Sequence, residues 1–428
     1  MIIGIVMFGV LLLLIFSGVS ISFSMLIATI IALFMGGYNL EVLPLTIVEG
    51  VKSYILLAIP FFITAGNLMN SAGITKRIFD FSNAVIGFIR GGLAHVNIFA
   101  SMIFAGISGS SIADQGGLGA IEMRAMVEKG YDKSFSAALS AVSSILGALI
   151  PPSVALIIYS YLAEVSLSDM FVAGIVPGVL TALVLMIHVY ITAKKGLITS
   201  PPEEPFDMKK IIVTFKKGFF ALLAPLIILL GFIGGIFTPT EAGVIAIIYS
   251  IFCAFIYREF KLSLVTKALK SSILSISLIM FLTGVSTAMG WVVSIEQLPL
   301  LLSNSLLQIT DNKYIILLLI NIVLLILGSL MESVPVKLIL LPVLLPIITS
   351  VGIDPIHFGI VITFNLLIGM ITPPMGIGLY VMSSVGKVPV ESIIKETLPL
   401  YVPLVIMLLI LTFVPQISLW LPELLTGR

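Results

Sequence analysis

Apolar runs long enough to cross a bilayer recur along this chain. A membrane-spanning helix needs roughly 20 mostly apolar residues. Runs of that kind fall near 1–16, 21–36, 53–71, 134–162 and 170–193, and again near 213–236, 240–257, 272–295, 356–383 and 398–421. Strictly alternating ten-residue segments of the β-barrel kind are absent. Two further apolar stretches, 93–127 and 314–350, are each long enough to enter a membrane and return. Each is broken in its middle by small and polar residues, Gly106-Ile107-Ser108-Gly109-Ser110-Ser111-Ile112-Ala113-Asp114 in one and Gly328-Ser329-Leu330-Met331-Glu332-Ser333-Val334-Pro335 in the other. Both read as re-entrant helical hairpins whose tips face protein or water, the condition under which irregular backbone is tolerated at that depth.

Composition agrees with an all-α, polytopic membrane protein. Of 428 residues, 59% are hydrophobic and 10% charged, against about 25% charged in a typical soluble chain. A net charge of +1 gives no basis for holding nucleic acid. The single cysteine, Cys253, excludes an internal disulfide and a multi-cysteine metal site. His95, His188 and His357 lack zinc-ligand spacing and read as packed or interfacial residues. No basic region precedes the first run, so Met1 onward reads as the first mature span.

Charge also tests the layout. With both hairpins counted as returns, every Lys and Arg except Lys52, Lys313, Lys337 and Arg428 falls on one side, 18 of the 22. That side is then cytoplasmic and both termini lie outside. The polar stretch 194–217 reads as a cytoplasmic linker between residues 1–200 and 201–428. The two parts repeat. Gly147-Ala148-Leu149-Ile150-Pro151-Pro152 matches Gly369-Met370-Ile371-Thr372-Pro373-Pro374 at an offset of 222, which also carries Gly106 onto Gly328. Five spans per part is an odd number, so the second copy is inverted. Inverted repeats with interrupted helices in matching places mark a secondary transporter and its binding site.

The interruptions carry the chemistry. A proline pair removes two backbone donors and drives the preceding residue out of helical geometry. Carbonyl oxygens freed in mid-membrane are costly, and a small hard cation accepts such oxygens as ligands. Sodium sites are therefore expected among Ser108, Gly109, Ser110, Gly147 and Pro151 in the first part, and Gly328, Glu332, Gly369, Thr372 and Pro373 in the second. Substrate contacts are expected from Ser108, Ser110, Asp114, Ser153, Ser329 and Thr372. Each piece has a plainer alternative. A proline pair can simply kink a helix, and Ser and Gly permit close helix packing. Asp114 can cap a helix, Glu332 can pair with Lys337, Glu241 can serve as a helix N-terminal charge, and Asn67, Asn97 and Asn365 can bond between helices. Residues 73–90, and more loosely 258–271, suit amphipathic surface helices.

Long stretches resemble the large membrane subunit of tripartite ATP-independent periplasmic (TRAP) transporters. They include "RGGLAHVNIFASMIFAGISGSSIADQGGLGAIEMRAM", "GYDKSFSAALSAVSSILGALIPPSVALIIYS", "GIFTPTEAG", "GSLMESVP" and "NLLIGMITPPMGIGLYV". The resemblance implies sodium-driven uptake of a small organic acid, of the sialic acid or C4-dicarboxylate type, across the bacterial inner membrane. It implies an elevator in which a transport domain bearing both hairpins slides against a scaffold. The implied partners are a small four-helix membrane subunit, here a separate chain, and a periplasmic binding protein. The family's hairpin serines and acid fall on Ser108, Ser110 and Asp114, and its unwound segments on 147–153 and 369–374. Two rival readings are a stand-alone cation-coupled carboxylate carrier and an intramembrane hydrolase using Asp114 or a hairpin serine with Glu332.

Overall fold

The computed structural model describes residues 2–198, 205–301, 310 and 312–426, and every regular element among them is a helix. Helices satisfy their own backbone within one segment, which lipid demands. Eight are long and apolar enough to cross a membrane, with a ninth crossing if the bent pair Lys133–Leu149 and Val154–Ala163 is one span. Ile5, Leu13, Leu183, Ile187, Ile273 and Leu274 are exposed on outer faces, where lipid tails are as apolar as they are. Leu167–Lys194 and Pro239–Ile256 fall within a few residues of expected spans, whereas the first two expected spans form the shorter apolar helices Ile2–Phe16 and Ile21–Gly36, which are not among the eight.

Several boundaries differ from expectation. Residues 258–271 do not form a surface helix, because Leu262–Ile295 runs unbroken for 34 residues. Neither glycine nor proline interrupts it before Gly284. The linker is shorter than 194–217, since the next helix, Met208–Ile233, already carries Lys209, Lys210, Lys216 and Lys217 on its first turns. Residues 199–204, and with them the expected boundary at 200/201, lie outside the described residues, as do Met1 and Arg428. A short helix that hydropathy did not mark, Val42–Val51, packs on the long one. A Cβ on Gly284 would stand 2.9 Å from the Ile47 carbonyl, so the two backbones meet closely there.

The amphipathic helix expected over 73–90 is present as Ile74–Ile86. Ile74, Ile78, Ser82 and Ile86 recur every four residues and are buried, while Lys76 and Asp80 are exposed. Arg77 fixes it to the end of Pro239–Ile256. Its guanidinium bonds Glu259 at 2.9 Å and lies 3.7 Å over the Tyr257 ring.

A helix–tip–helix unit stands at each of the two interrupted stretches. The first runs Gly92–Ser108, a tip at 109–110, the single turn Ser111–Asp114, a π-helical turn Gln115–Gly119 and Ala120–Glu128. The second joins Lys313–Leu330 to Ser333–Ser350 through Met331 and Glu332. By length alone each arm of the second is long enough to span, yet its tip shares one cavity with the first tip. Both proline doublets interrupt their helices. The first gives a bend of 42°, the second separates Pro355–Met370 from Ile377–Gly386, and each contains a cis X-Pro bond.

Asparagines tie these pieces together, as the sequence allowed. Asn97 Nδ2 donates to Ser140 at 2.7 Å and its Oδ1 accepts from Ser143 at 2.6 Å. Asn365 donates to Asn321 Oδ1 at 2.9 Å, and Asn67 to Ser272 at 2.9 Å. Such bonds contribute about 0.6 kcal/mol each between membrane helices. Glu241 closes a capping box with Thr238, the helix-terminal role foreseen for it. His95 meets the Arg90 carbonyl and His357 the Ser418 hydroxyl, both inside the protein.

Candidate functional site: a cavity between two hairpin tips

The first tip turns because Gly109 takes a left-handed φ of 66°, a region open to glycine at little cost. A Cβ there would also stand 2.9 Å from the Pro152 carbonyl. The Gly109 carbonyl in turn accepts from Val154 N at 3.1 Å, so tip and first break are joined by backbone. Ser110 is extended and its hydroxyl accepts from Ala113 N at 3.4 Å, capping the next turn. The second tip is built alike. The Ser329 carbonyl accepts from Met375 N at 3.2 Å and Gly376 N at 3.1 Å, just past the second proline doublet.

Between the tips lies a cavity of about 510 Å³. Ser108, Gly109, Ser110 and Ser111 line it from the first tip, and Glu332, Ser333, Val334 and Pro335 from the second. Ala148, Val154 and Ala155 flank the first break on its wall, Leu367 and Met370 precede the second, and Asn67, Ser271 and Ser275 face it from other helices. Of the residues expected to hold sodium or substrate, Ser108, Gly109, Ser110 and Glu332 are gathered here.

The remainder do not line the cavity, each for a visible reason. The Ser153 hydroxyl donates to the Ala148 carbonyl at 2.6 Å and accepts from Leu156 N at 3.3 Å, so it repairs the break and caps the following helix. The Thr372 and Ser329 hydroxyls donate to the carbonyls of Ile368 and Ile326, both at 2.7 Å. Tyr401 supplies a hydroxyl to the Ile371 carbonyl. Part of the oxygen set that the sequence left to a cation thus has protein donors. Pro151 and Pro373 carry the cis bonds of the breaks. Gly328 and Gly369 pack backbone on backbone, a Cβ on Gly369 falling 2.6 Å from the Gly328 carbonyl carbon.

Asp114 is 1% exposed, and apart from a weak approach of the Ser108 hydroxyl its carboxylate oxygens have no hydrogen-bond partner. It is not a helix cap at the hairpin base. Gly147 makes its room, since a Cβ there would fall 1.8 Å from Asp114 Oδ2. The pair joins the first hairpin to the helix leading into the first break. Such an acid in the interior of a membrane bundle calls for a cation or a proton. Among the described residues, no group of three or more His, Cys, Asp or Glu could hold a metal ion, so a cation here would draw on carbonyls and hydroxyls with one carboxylate.

Lys337 and Glu122 take places the sequence did not suggest. Glu332 does not pair with Lys337. Glu332 stands at the tip on the cavity, while Lys337 turns away to the Ala155 carbonyl at 3.0 Å and the Thr363 hydroxyl at 2.8 Å. Glu122, an acid inside an apolar run, is fully buried. Only Ser101 donates to it, at 3.4 Å, and its second oxygen is unpartnered. Its position in that run was the available signal.

Comparison with known proteins agrees with this architecture. The sequence model of the DctM component of the tripartite ATP-independent periplasmic transporter matches residues 8–417. The sialic acid TRAP transporter large permease protein SiaM of Vibrio cholerae is 41% identical over 417 residues, 97% of each chain. The C4-dicarboxylate TRAP transporter large permease protein DctM of Pseudomonas aeruginosa is 39% identical over 382 residues, 89% of each. The solved Alcanivorax borkumensis YdaH transporter shares the fold, with a TM-score of 0.63 at 17% identity over 88% of this chain and 87% of its own. These relatives are named as permeases, which sets aside the hydrolase reading, and the chain is a transport protein with no enzymatic role. A multi-pass helical bundle whose broken helices and hairpin tips enclose one cavity, it belongs to the DctM family of TRAP transporter large permeases.

Proposed function

We propose that this permease takes up a small organic acid across the bacterial inner membrane, driven by a sodium gradient. One observation carries the reading: tips from the two parts of the chain meet at one cavity, each bonded through a carbonyl to the segment behind a proline doublet. Sodium would sit against the Ser108-Gly109-Ser110 tip with Asp114 close behind, and a second ion against the 328–332 tip. The substrate would lie between the tips, favoured by the ions and by the N-termini of the helices that restart there. Residues 1–200 and 201–428 are taken as inverted repeats. The filled transport domain shifts as an elevator, moving access from the hairpin 314–350 on the outside to 93–127 on the inside.

A small four-helix subunit and a periplasmic binding protein complete the system. Sialic acid is the first substrate to test, given 41% identity to a sialic acid permease, and a C4-dicarboxylate the second. In proteoliposomes holding both membrane subunits, N-acetylneuraminate or succinate uptake is expected only with binding protein outside and an inward sodium gradient. Uptake that persists with choline in place of sodium would refute the coupling. Transport without the binding protein would favour a stand-alone carrier.

Orientation has its own test. Cys253 is the single native cysteine and is buried, so added cysteines report alone. Glu41→Cys should react with an impermeant maleimide on intact cells and Leu197→Cys only after lysis. The reverse pattern would invert the topology.

A further inference from the structure

The cavity has an electrostatic gap if its occupant is an anion. Among the described residues that line it, Glu332 is the only one with a charged side chain, and it is an acid. The only Lys or Arg buried among the described residues is Lys337, at 0% exposure. It stands one helical turn beyond the lining residue Val334, and the carbonyl it bonds belongs to Ala155, itself on the cavity wall. No carboxylate among the described residues forms an ion pair with it. An ammonium held by one carbonyl and one hydroxyl, with no counter-ion, is costly in a membrane interior.

Packing alone does not require that charge. The offset of 222 that carries Gly106 onto Gly328 carries Gln115 onto Lys337. Gln115 is also fully buried, and its amide donates to Ser144 at 2.9 Å. The same amide nitrogen would lie 2.6 Å from a Cβ on Gly378, in the helix behind the second break. Each hairpin thus reaches, from the same place on its second arm, to the helix behind the other break. One does so with an amide and the other with a lysine amine.

We propose that Lys337 is the fixed counter-charge of an anion subsite. Its ammonium sits behind the Ala155 wall and favours a carboxylate in the cavity over a neutral ligand, through the field and without contact. It is a specificity-determining residue, and its role rests on the reading of the cargo as an organic acid.

The test compares wild type with Lys337→Gln, which can keep both hydrogen bonds and loses the charge. Thermal stabilisation of the purified protein in saturating sodium chloride is titrated with N-acetylneuraminate, succinate and their neutral methyl esters. Lys337→Gln is expected to weaken the anion response by roughly tenfold to a hundredfold and leave the ester response unchanged. Its ligand-free melting temperature should hold or rise, because a buried unpaired charge is removed. Lys337→Met, of similar length and apolar, serves as the second variant and is judged by the same anion-to-ester ratio. Equal losses for anion and ester, no loss, or failure of both variants to assemble would each make Lys337 structural and overturn the proposal. A steeper sodium dependence with anion affinity recovered at high sodium would make the ammonium a stand-in for a coupling ion, and would also overturn it. If wild type responds to neither anion, the organic-acid reading falls and the counter-charge with it.

Discussion

Sodium-driven uptake by an Asp114→Asn variant is expected to fall roughly a hundredfold or more while the protein still assembles. The carboxylate is buried with only a weak approach from the Ser108 hydroxyl, so a cation in the first tip would be its main partner. Removing one member of a buried charge pair costs about 3 kcal/mol or more, and 1.4 kcal/mol is tenfold in affinity. In the absence of sodium the same change should stabilise the protein, since a lone buried charge is lost. The discriminating measurement is the melting temperature against sodium chloride at constant ionic strength. Wild type should rise with sodium, and Asp114→Asn should rise less, keeping only the response of the second ion. Gly147→Ala should mimic the uptake loss, because its Cβ would fall 1.8 Å from Asp114 Oδ2 and expel the carboxylate. Combining Gly147→Ala with Asp114→Ala should restore packing and leave uptake lost. Normal sodium-dependent transport by Asp114→Asn would end the assignment.

Gly369→Ala should destabilise the second half of the site more than any neighbouring small substitution. Its Cβ would stand 2.6 Å from the Gly328 carbonyl carbon and 2.7 Å from its Cα. These are backbone atoms that no rotamer change can move. Overpacking of this kind costs about 1–3 kcal/mol. The added methyl would part the helix before the second break from the second hairpin, and with it the Ser329 carbonyl from Met375 and Gly376. Gly116→Ala is the matched control, in the first hairpin with nothing within 4 Å of its Cβ. Thermal unfolding in detergent should separate the two by several degrees. Equal stabilities would show that the Gly328–Gly369 contact yields freely.

The two glycines that the repeat aligns, Gly147 and Gly369, do different things. One opens a space for a carboxylate and the other a space for a backbone. The sequence presented them as equivalent because the repeat relates chain positions, while what a missing Cβ makes room for depends on the opposing strand of chain. The same limit explains Glu332 and Lys337. Five residues apart, they suggest a local ion pair. However, Glu332 lies at the tip before Ser333–Ser350 begins, and Lys337 lies inside that helix, turned toward a different neighbour.

Hydropathy and charge by themselves determined the helical membrane class, most helices, the two interrupted stretches and both proline breaks. Burial in lipid acts on each segment separately, and prolines break a helix through their own covalent chemistry. Tertiary structure alone decided that the tips share a cavity. It also decided that Ser153, Ser329 and Thr372 spend their hydroxyls on nearby carbonyls, and that Asp114, Glu122 and Lys337 are sealed within the bundle. A side chain's partners come from segments tens to hundreds of residues away, and no local pattern records which of them folding brings into reach.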